Sequence, residues 1–133
     1  MTRFLLDTNI LSDSMRDPRG RAATRIRATS RAHLCTSIIV AAELRFGALK
    51  RRSIALRTKI DELLDLIEVL SFEAPADECY GIVRATLERD GVIIGANDLL
   101  IAAHAIALGC TLVTNNEREF RRVPGLRIEN WTI

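Results

Sequence analysis

Three carboxylates stand in stretches of the sequence that are otherwise apolar. Asp7 follows the run RFLL, Glu43 interrupts IIVAAELRFGA, and Asp98 opens LLIAAHAIALG. Burying an ionised carboxylate without a partner is costly, so each of these acids needs a reason. Taken singly they have ordinary explanations: Asp7 can cap a helix, Glu43 can pair with an arginine such as Arg45, and Asp98 can complement the positive end of a helix.

Taken together, the three acids predict a site for a hard divalent cation. Carboxylates gathered at one place repel one another and raise one another's pKa values. Mg²⁺ or Mn²⁺ relieves that repulsion, takes oxygen ligands and keeps positions open for water and phosphate. Such an ion lowers the pKa of a water and neutralises charge on a phosphodiester during in-line displacement. The chemistry predicted is therefore that of a nuclease, and the sequence contains no serine elbow, Walker loop or G-x-G-x-x-G to suggest another class.

The elements that must bring these acids together alternate between strand and helix. Apolar periodicity predicts strands at 3–6, 33–36, 69–72, 111–114 and 126–129, separated by helices at 8–15, 20–30, 38–50, 53–68, 75–89, 98–108 and 117–122. This alternation is typical of a three-layer α/β/α fold with a mainly parallel central sheet, here of four to five strands. Right-handed crossovers place all the strand ends at one edge, where ligands bind in open sheets. The acids are expected to meet there, beside the polar tract TNNERE that begins at Thr114.

Length, composition and charge limit the possible classes. A chain of 133 residues with 48% apolar and 27% charged residues predicts one globular domain, and the sequence shows neither a signal peptide nor an apolar stretch that spans a membrane. We therefore expect a cytoplasmic protein. Of the 19 basic residues only two are lysines, and the segment after the first helix is rich in arginine. Four of its members are candidates to hold an RNA backbone, although a solvated helix face explains them equally well: Arg19, Arg21, Arg25 and Arg27.

Four blocks of the sequence resemble those of the PIN-domain family, and more narrowly the VapC-type toxins of bacterial toxin–antitoxin pairs. The blocks are LLDTNIL, AAELRFGA, IGANDLLIAAHA and LVTNNEREFRRVPGLRIENW, and they run in order from Leu5 to Trp131. The resemblance implies a single PIN domain over residues 1–133. It also implies a Mg²⁺- or Mn²⁺-dependent endoribonuclease that cuts tRNA or another structured RNA by in-line attack of a metal-activated water. The implied partners are a cognate VapB-like antitoxin that lies over the active site and a second copy of the chain, forming a homodimer within a larger assembly.

The resemblance also assigns roles to individual residues. Asp7, Glu43 and Asp98 match the acidic residues that hold the metal, and small polar residues match the lining of such sites: Thr8, Asn9 and Thr114. Many PIN domains carry an aspartate where this chain has Asn116, and Glu119 is the next acid in that block. We therefore count Glu119 among the catalytic candidates, Asn116 among the supporting polar residues, and expect one tightly held metal.

Two other functions remain open from the residues alone. An aspartate that ends the first strand of an α/β sheet is also where phosphoaspartate phosphatases begin, but those enzymes need a second nearby aspartate or a lysine. Here Asn9 stands two residues after Asp7, and the lysines, Lys50 and Lys59, fall in mid-chain helices. The acids could also form a noncatalytic docking site for a basic partner.

Overall fold

Five short parallel strands carry the acids and alternate with helices along the chain. The computed structural model describes residues 2–133. In chain order the elements are β1 (Phe4–Leu6), α1 (Thr8–Arg16), α2 (Arg21–Ala28), β2 (Leu34–Ser37), α3 (Ile38–Lys50), α4 (Ile54–Leu66), β3 (Glu68–Leu70), α5 (Ala76–Arg89), α6 (Ala96–Leu108), β4 (Thr111–Val113), α7 (Glu117–Phe120) and β5 (Ile128–Glu129), with a 3₁₀ turn at Arg31–His33. The predicted three-layer α/β/α class is confirmed, and the sheet has five strands.

The sheet places β1 at its centre. The strand order is β3-β2-β1-β4-β5, and every neighbouring pair is parallel. Leu5 lies opposite Cys35 on one side and Leu112 on the other. Strands β2 and β3 lie on one side of β1, and β4 and β5 lie on the other, so the strand order reverses at β1 and a crevice forms at the carboxyl ends of the central strands. Asp7 stands at that crevice, immediately after β1.

The core forms because the central strands are apolar on both faces. Leu5, Leu6 and Leu112 are fully buried, as strands covered by helices on both sides must be. Helix α6 is apolar nearly all round, and Ile101 and His104 within it are buried. Gly109 ends α6 at a positive φ of 67°, a left-handed conformation that glycine adopts readily. The buried His104 ring forms a hydrogen bond with Ser37 Oγ at 2.8 Å through its Nδ1, so it is a satisfied core residue.

The turn between α3 and α4 contains a residue in a left-handed conformation. Arg52 has a φ of +52°, and it is the one non-glycine residue with a positive φ in the part of the chain that the structure describes. An L-residue with a side chain is strained there, so this turn holds some backbone strain.

No helix within residues 2–133 combines the length and the apolar character that a membrane crossing requires.

Candidate active site

Asp7 is both a helix cap and the centre of a polar cluster. Its side chain is 2% exposed and its Oδ1 accepts a hydrogen bond from Thr8 N at 2.8 Å, which caps α1. Oδ2 accepts from Asn9 Nδ2 at 3.1 Å and from the Thr114 hydroxyl at 2.8 Å. Burial raises the pKa of Asp7 above its usual value, and the hydrogen bonds from Thr114 and Thr8 partly offset that rise. The capping role and the site role are therefore compatible.

Thr114 links the two halves of the site. Its fully buried hydroxyl donates to Asp7, accepts from Asn9 Nδ2 at 3.3 Å and accepts from the backbone N–H of Asn116 at 3.0 Å. Asn9 in turn accepts from Asn115 N through its Oδ1 at 3.0 Å. These contacts tie the end of β1 to the end of β4, because both strands finish at the same edge of the sheet.

Glu43 approaches the cluster from α3. Its Oε1 accepts from the Thr8 hydroxyl at 2.6 Å and its Oε2 accepts from Asn97 Nδ2 at 3.3 Å. The neighbouring cation Arg45 instead pairs with Asp61 of α4 at 2.8 Å. The explanation of Glu43 as half of a salt bridge with Arg45 is therefore wrong, since Arg45 lies on the opposite side of the helix and reaches another partner.

Asp98 and Glu119 form a pair of acids bridged by an amide. Asn116 Nδ2 donates to Glu119 Oε2 at 2.6 Å and to Asp98 Oδ2 at 3.4 Å. Burial, a side-chain hydrogen bond with Glu119 and the charge of Asp7 raise the pKa of Asp98 to about 7. Hydrogen bonding from Asn116 lowers the pKa of Glu119. Of the two carboxyl groups, Asp98 is therefore the more basic.

The three predicted acids line one open pocket of about 410 Å³. Asp7, Glu43 and Asp98 share its wall with five other residues: Thr8, Asn9, Ser12, Arg16 and Asn115. We call this space the acidic pocket. The structure places Glu119 and Asn116 beside Asp98, outside the lining of that pocket.

The donor set suits a hard cation that keeps part of its water shell. Within residues 2–133, no group of three or more Asp, Glu, His or Cys side chains is close enough to hold a metal by itself. The acidic pocket offers carboxylate and hydroxyl oxygens, which Mg²⁺ and Mn²⁺ prefer. Mg²⁺ is usually bound through one or two carboxylates, with waters completing its shell, so this looser arrangement fits such an ion.

Four residues were not among the site candidates from the sequence: Ser12, Arg16 and Asn115, which line the acidic pocket, and Asn97, which donates to Glu43. A signal for two of them exists, because Thr8, Ser12 and Arg16 follow one another at intervals of four and therefore share a face of α1. Asn115 lies in the polar tract TNNERE, which was expected at this edge of the sheet, whereas Asn97 carries no signal because it matters through a contact made across the fold.

The arginines proposed to hold RNA lie on another surface. Arg25 stacks over the Trp131 ring at 4.8 Å and pairs with Glu129 at 3.5 Å, while Arg27 donates to the carbonyl of Pro18 at 2.8 Å. Arg19, Arg21 and Arg25 line a separate pocket of about 310 Å³ that shares no residue with the acidic pocket. Their role in binding RNA stays a prediction.

Comparison with known proteins identifies the family. The PIN domain pattern matches residues 4–126. The chain is 40% identical to Ribonuclease VapC2 of Rickettsia felis over 130 residues, covering 96% of this chain and 97% of the relative. It is 37% identical to the tRNA(fMet)-specific endonuclease VapC of Shigella flexneri over 136 residues, covering 99% of this chain and 100% of the relative. The crystal structure of VapBC2 from Rickettsia felis bound to a DNA fragment from their promoter matches with a TM-score of 0.91 at 39% identity, covering 98% of this chain and 99% of that one. The agreement in sequence and fold over nearly the whole length means that this chain belongs to the PIN-domain family, in its VapC branch.

Proposed function

We propose that this chain is the toxin of a VapBC-like toxin–antitoxin pair, and that it cuts RNA with the help of Mg²⁺ or Mn²⁺. The observation that carries the proposal is the convergence of Asp7, Glu43 and Asp98, from three separate elements, on one open pocket. Relatives named as ribonucleases at 34–40% identity support the activity. The whole chain, residues 1–133, is proposed to act as one PIN domain in the cytoplasm.

The residues of the acidic pocket have two proposed roles: some bind the cation, and others fix the orientation of the carboxylates that bind it. When bound, a divalent cation supplies positive charge for the phosphodiester and lowers the pKa of an attacking water. Asp7, Glu43 and Asp98 are proposed to hold that cation, directly or through waters. Thr8 fixes the orientation of Glu43, and Thr114 fixes that of Asp7, through the hydrogen bonds already described. Arg16 at the rim of the pocket can contact a phosphate of the substrate.

Asp98 and Glu119 are suited to proton transfer. The pKa of about 7 for Asp98, raised in part by its hydrogen bond with Glu119, means that the pair can take a proton near neutral pH. Asn116 holds the two carboxyl groups together by donating to both. We therefore propose that the pair accepts the proton of the attacking water, with Asp98 as its more basic member and Glu119 as its hydrogen-bonding partner, and that Asn116 orients both carboxyl groups.

The proposed partners are an RNA substrate, an antitoxin and a second copy of the chain. One relative is named as specific for tRNA(fMet), so initiator tRNA is the first substrate to test. The Rickettsia felis structure is a VapBC2 complex, which supports a cognate VapB-like antitoxin for this chain. A homodimer within a larger toxin–antitoxin assembly completes the proposal.

A cleavage assay tests the function. The protein, purified free of antitoxin, is incubated with total tRNA in EDTA, Mg²⁺ or Mn²⁺. We expect cutting only with metal, and a rate about 100-fold lower for Asp98→Asn. Asp65→Asn is the matched control, because Asp65 is an exposed acid of α4 outside the acidic pocket. Equal rates for the two variants would contradict the assignment of Asp98.

Two further outcomes would favour the other candidates. Release of phosphate from a small phosphomonoester without RNA cutting would indicate a phosphatase. The lining of the acidic pocket contains no lysine to balance a phosphoryl group, so we expect no such release. Tight binding of a basic peptide without any cleavage would indicate a docking module.

A further inference from the structure

A second, larger groove opens directly from the acidic pocket. Its volume is about 480 Å³, and it runs between α1, α3 and α4. It shares Thr8, Ser12, Arg16 and Glu43 with the acidic pocket, so the two spaces are continuous. Any polymer bound with one bond at the acids must pass out of the acidic pocket, and this groove is a direct continuation of it.

The groove is basic along its walls and apolar at its floor. Arg16, Arg51 and Lys59 line it, and Glu43, at the end nearest the acidic pocket, is the one acid in the lining. Arg51 and Lys59 are exposed and make no ion pair with any residue between 2 and 133. Leu44, Leu56 and Ile60 form the floor. We call this space the basic groove.

The charge pattern fits a chain of phosphates with apolar groups between them. Free cations attract a phosphate backbone, and an apolar floor accepts the faces of bases and riboses. A cavity of about 480 Å³ lies within the range of small-ligand sites, so it can hold a short segment of a polymer. Resting on the proposed function, we propose that the basic groove holds the single-stranded RNA segment next to the bond that is cut, with Arg16, Arg51 and Lys59 contacting its phosphates.

Salt dependence of binding tests the cations. A fluorescein-labelled single-stranded RNA of about ten nucleotides is titrated with the Asp98→Asn protein, which binds without cutting, and its anisotropy is recorded at several salt concentrations. The plot of log K against log salt has a negative slope, and removal of two phosphate contacts makes this slope less steep by about 1.4 for a single strand. The affinity for RNA falls between about 50 and 200 mM salt, and this fall should be about sevenfold smaller in the double variant Arg51→Ala and Lys59→Ala than in the protein that keeps both side chains. Arg57→Ala is the control, because Arg57 lies on the same helix but lines a different pocket.

Filling the groove provides a second, independent test. Gly47 lies in the lining of the basic groove, and a Cβ at this position would meet no heavy atom within 4 Å, so a larger side chain enters the groove without displacing the core. Gly81 is the matched control, because it also lies in a helix with nothing within 4 Å and is outside the groove. Gly47→Leu should remove most of the RNA binding that Gly81→Leu retains, while both variants keep their helical circular dichroism.

The outcomes separate this proposal from the proposed function. Reduced salt slope and weakened binding in the groove variants support it, even if the parent protein cuts no RNA. Unchanged slope and affinity in both groove variants overturn it, even if the parent cuts tRNA with Mg²⁺. Groove variants that bind RNA normally but no longer co-purify with the co-expressed antitoxin also overturn it, since the groove would then hold a protein chain.

Discussion

Thr114→Val changes a single buried hydroxyl and tests whether the site depends on it. The substitution keeps the shape of the side chain but removes the hydrogen bond to Asp7 Oδ2 at 2.8 Å and leaves the N–H of Asn116 without its acceptor. A hydrogen bond to a charged group contributes about 1.5–3 kcal/mol, and an unpaired buried donor costs at least about 1 kcal/mol. We expect a loss of about 3 kcal/mol in the free energy of unfolding. For a chain of this length that corresponds to a Tm lower by about 12 °C.

Two further variants isolate the contribution of the charged acceptor. Thr36 is equally buried, but its hydroxyl donates to the neutral carbonyl of Leu6 at 2.7 Å, so Thr36→Val should cost about 1 kcal/mol. Thr114→Ser keeps all the hydrogen bonds and loses one methyl group, which costs about 1 kcal/mol. The measurement is urea denaturation of the metal-free protein. A Thr114→Val protein no less stable than Thr36→Val would refute the claim that Thr114 stabilises an ionised Asp7.

The remaining predictions concern the acids and one strained turn. The pKa of Asp98 is raised to about 7 in the folded protein, so between about pH 4 and 7 the folded form binds one more proton than the unfolded chain does. The free energy of unfolding without metal should therefore fall as the pH rises through this window. Denaturation at several pH values should show that Asp98→Asn weakens this fall, and Mg²⁺ should raise the Tm of the parent more at pH 8 than at pH 6. Asn116→Asp replaces the donor between Asp98 and Glu119 by a third charge, so the metal-free protein should lose about 3 kcal/mol and regain more of its Tm with Mg²⁺ than the parent does in a thermal-shift assay. Arg52→Gly should stabilise the protein by about 0.5–1 kcal/mol by relieving the positive φ, whereas Arg51→Gly, at a φ of −82°, should destabilise it in the same urea titration.

Local pattern was enough to predict most elements of the fold. Helix α3 begins at Ile38 and ends at Lys50, as predicted, because Ser37 accepts from Ile39 N and caps it. The third strand was placed one residue too late: β3 starts at Glu68, which pairs with Cys35 although its side chain is exposed. A charged residue at a strand end gives no apolar signal, so periodicity misses it.

The contacts that orient the acids could not be predicted from the sequence. Asn97 reaches Glu43 across 54 positions in sequence, and Arg45 meets Asp61 because α3 and α4 pack side by side. Such pairings depend on the crossing of helices, which no local pattern encodes. The carboxylates themselves were detectable because an acid in an apolar stretch is unusual by itself.

The hydrogen bond between Thr114 and Asp7 joins residues 107 positions apart and has a consequence for synthesis of the chain. A growing polypeptide that ends before Thr114 already contains Asp7, Glu43 and Asp98, but it lacks the Thr114 hydroxyl that donates to Asp7. On the ribosome, such an intermediate lacks the hydrogen bonds that Thr114 makes with Asp7 and Asn9, so Asp7 is not held in the position it has in the folded protein. The proposed active site can therefore be complete only after translation has passed Thr114.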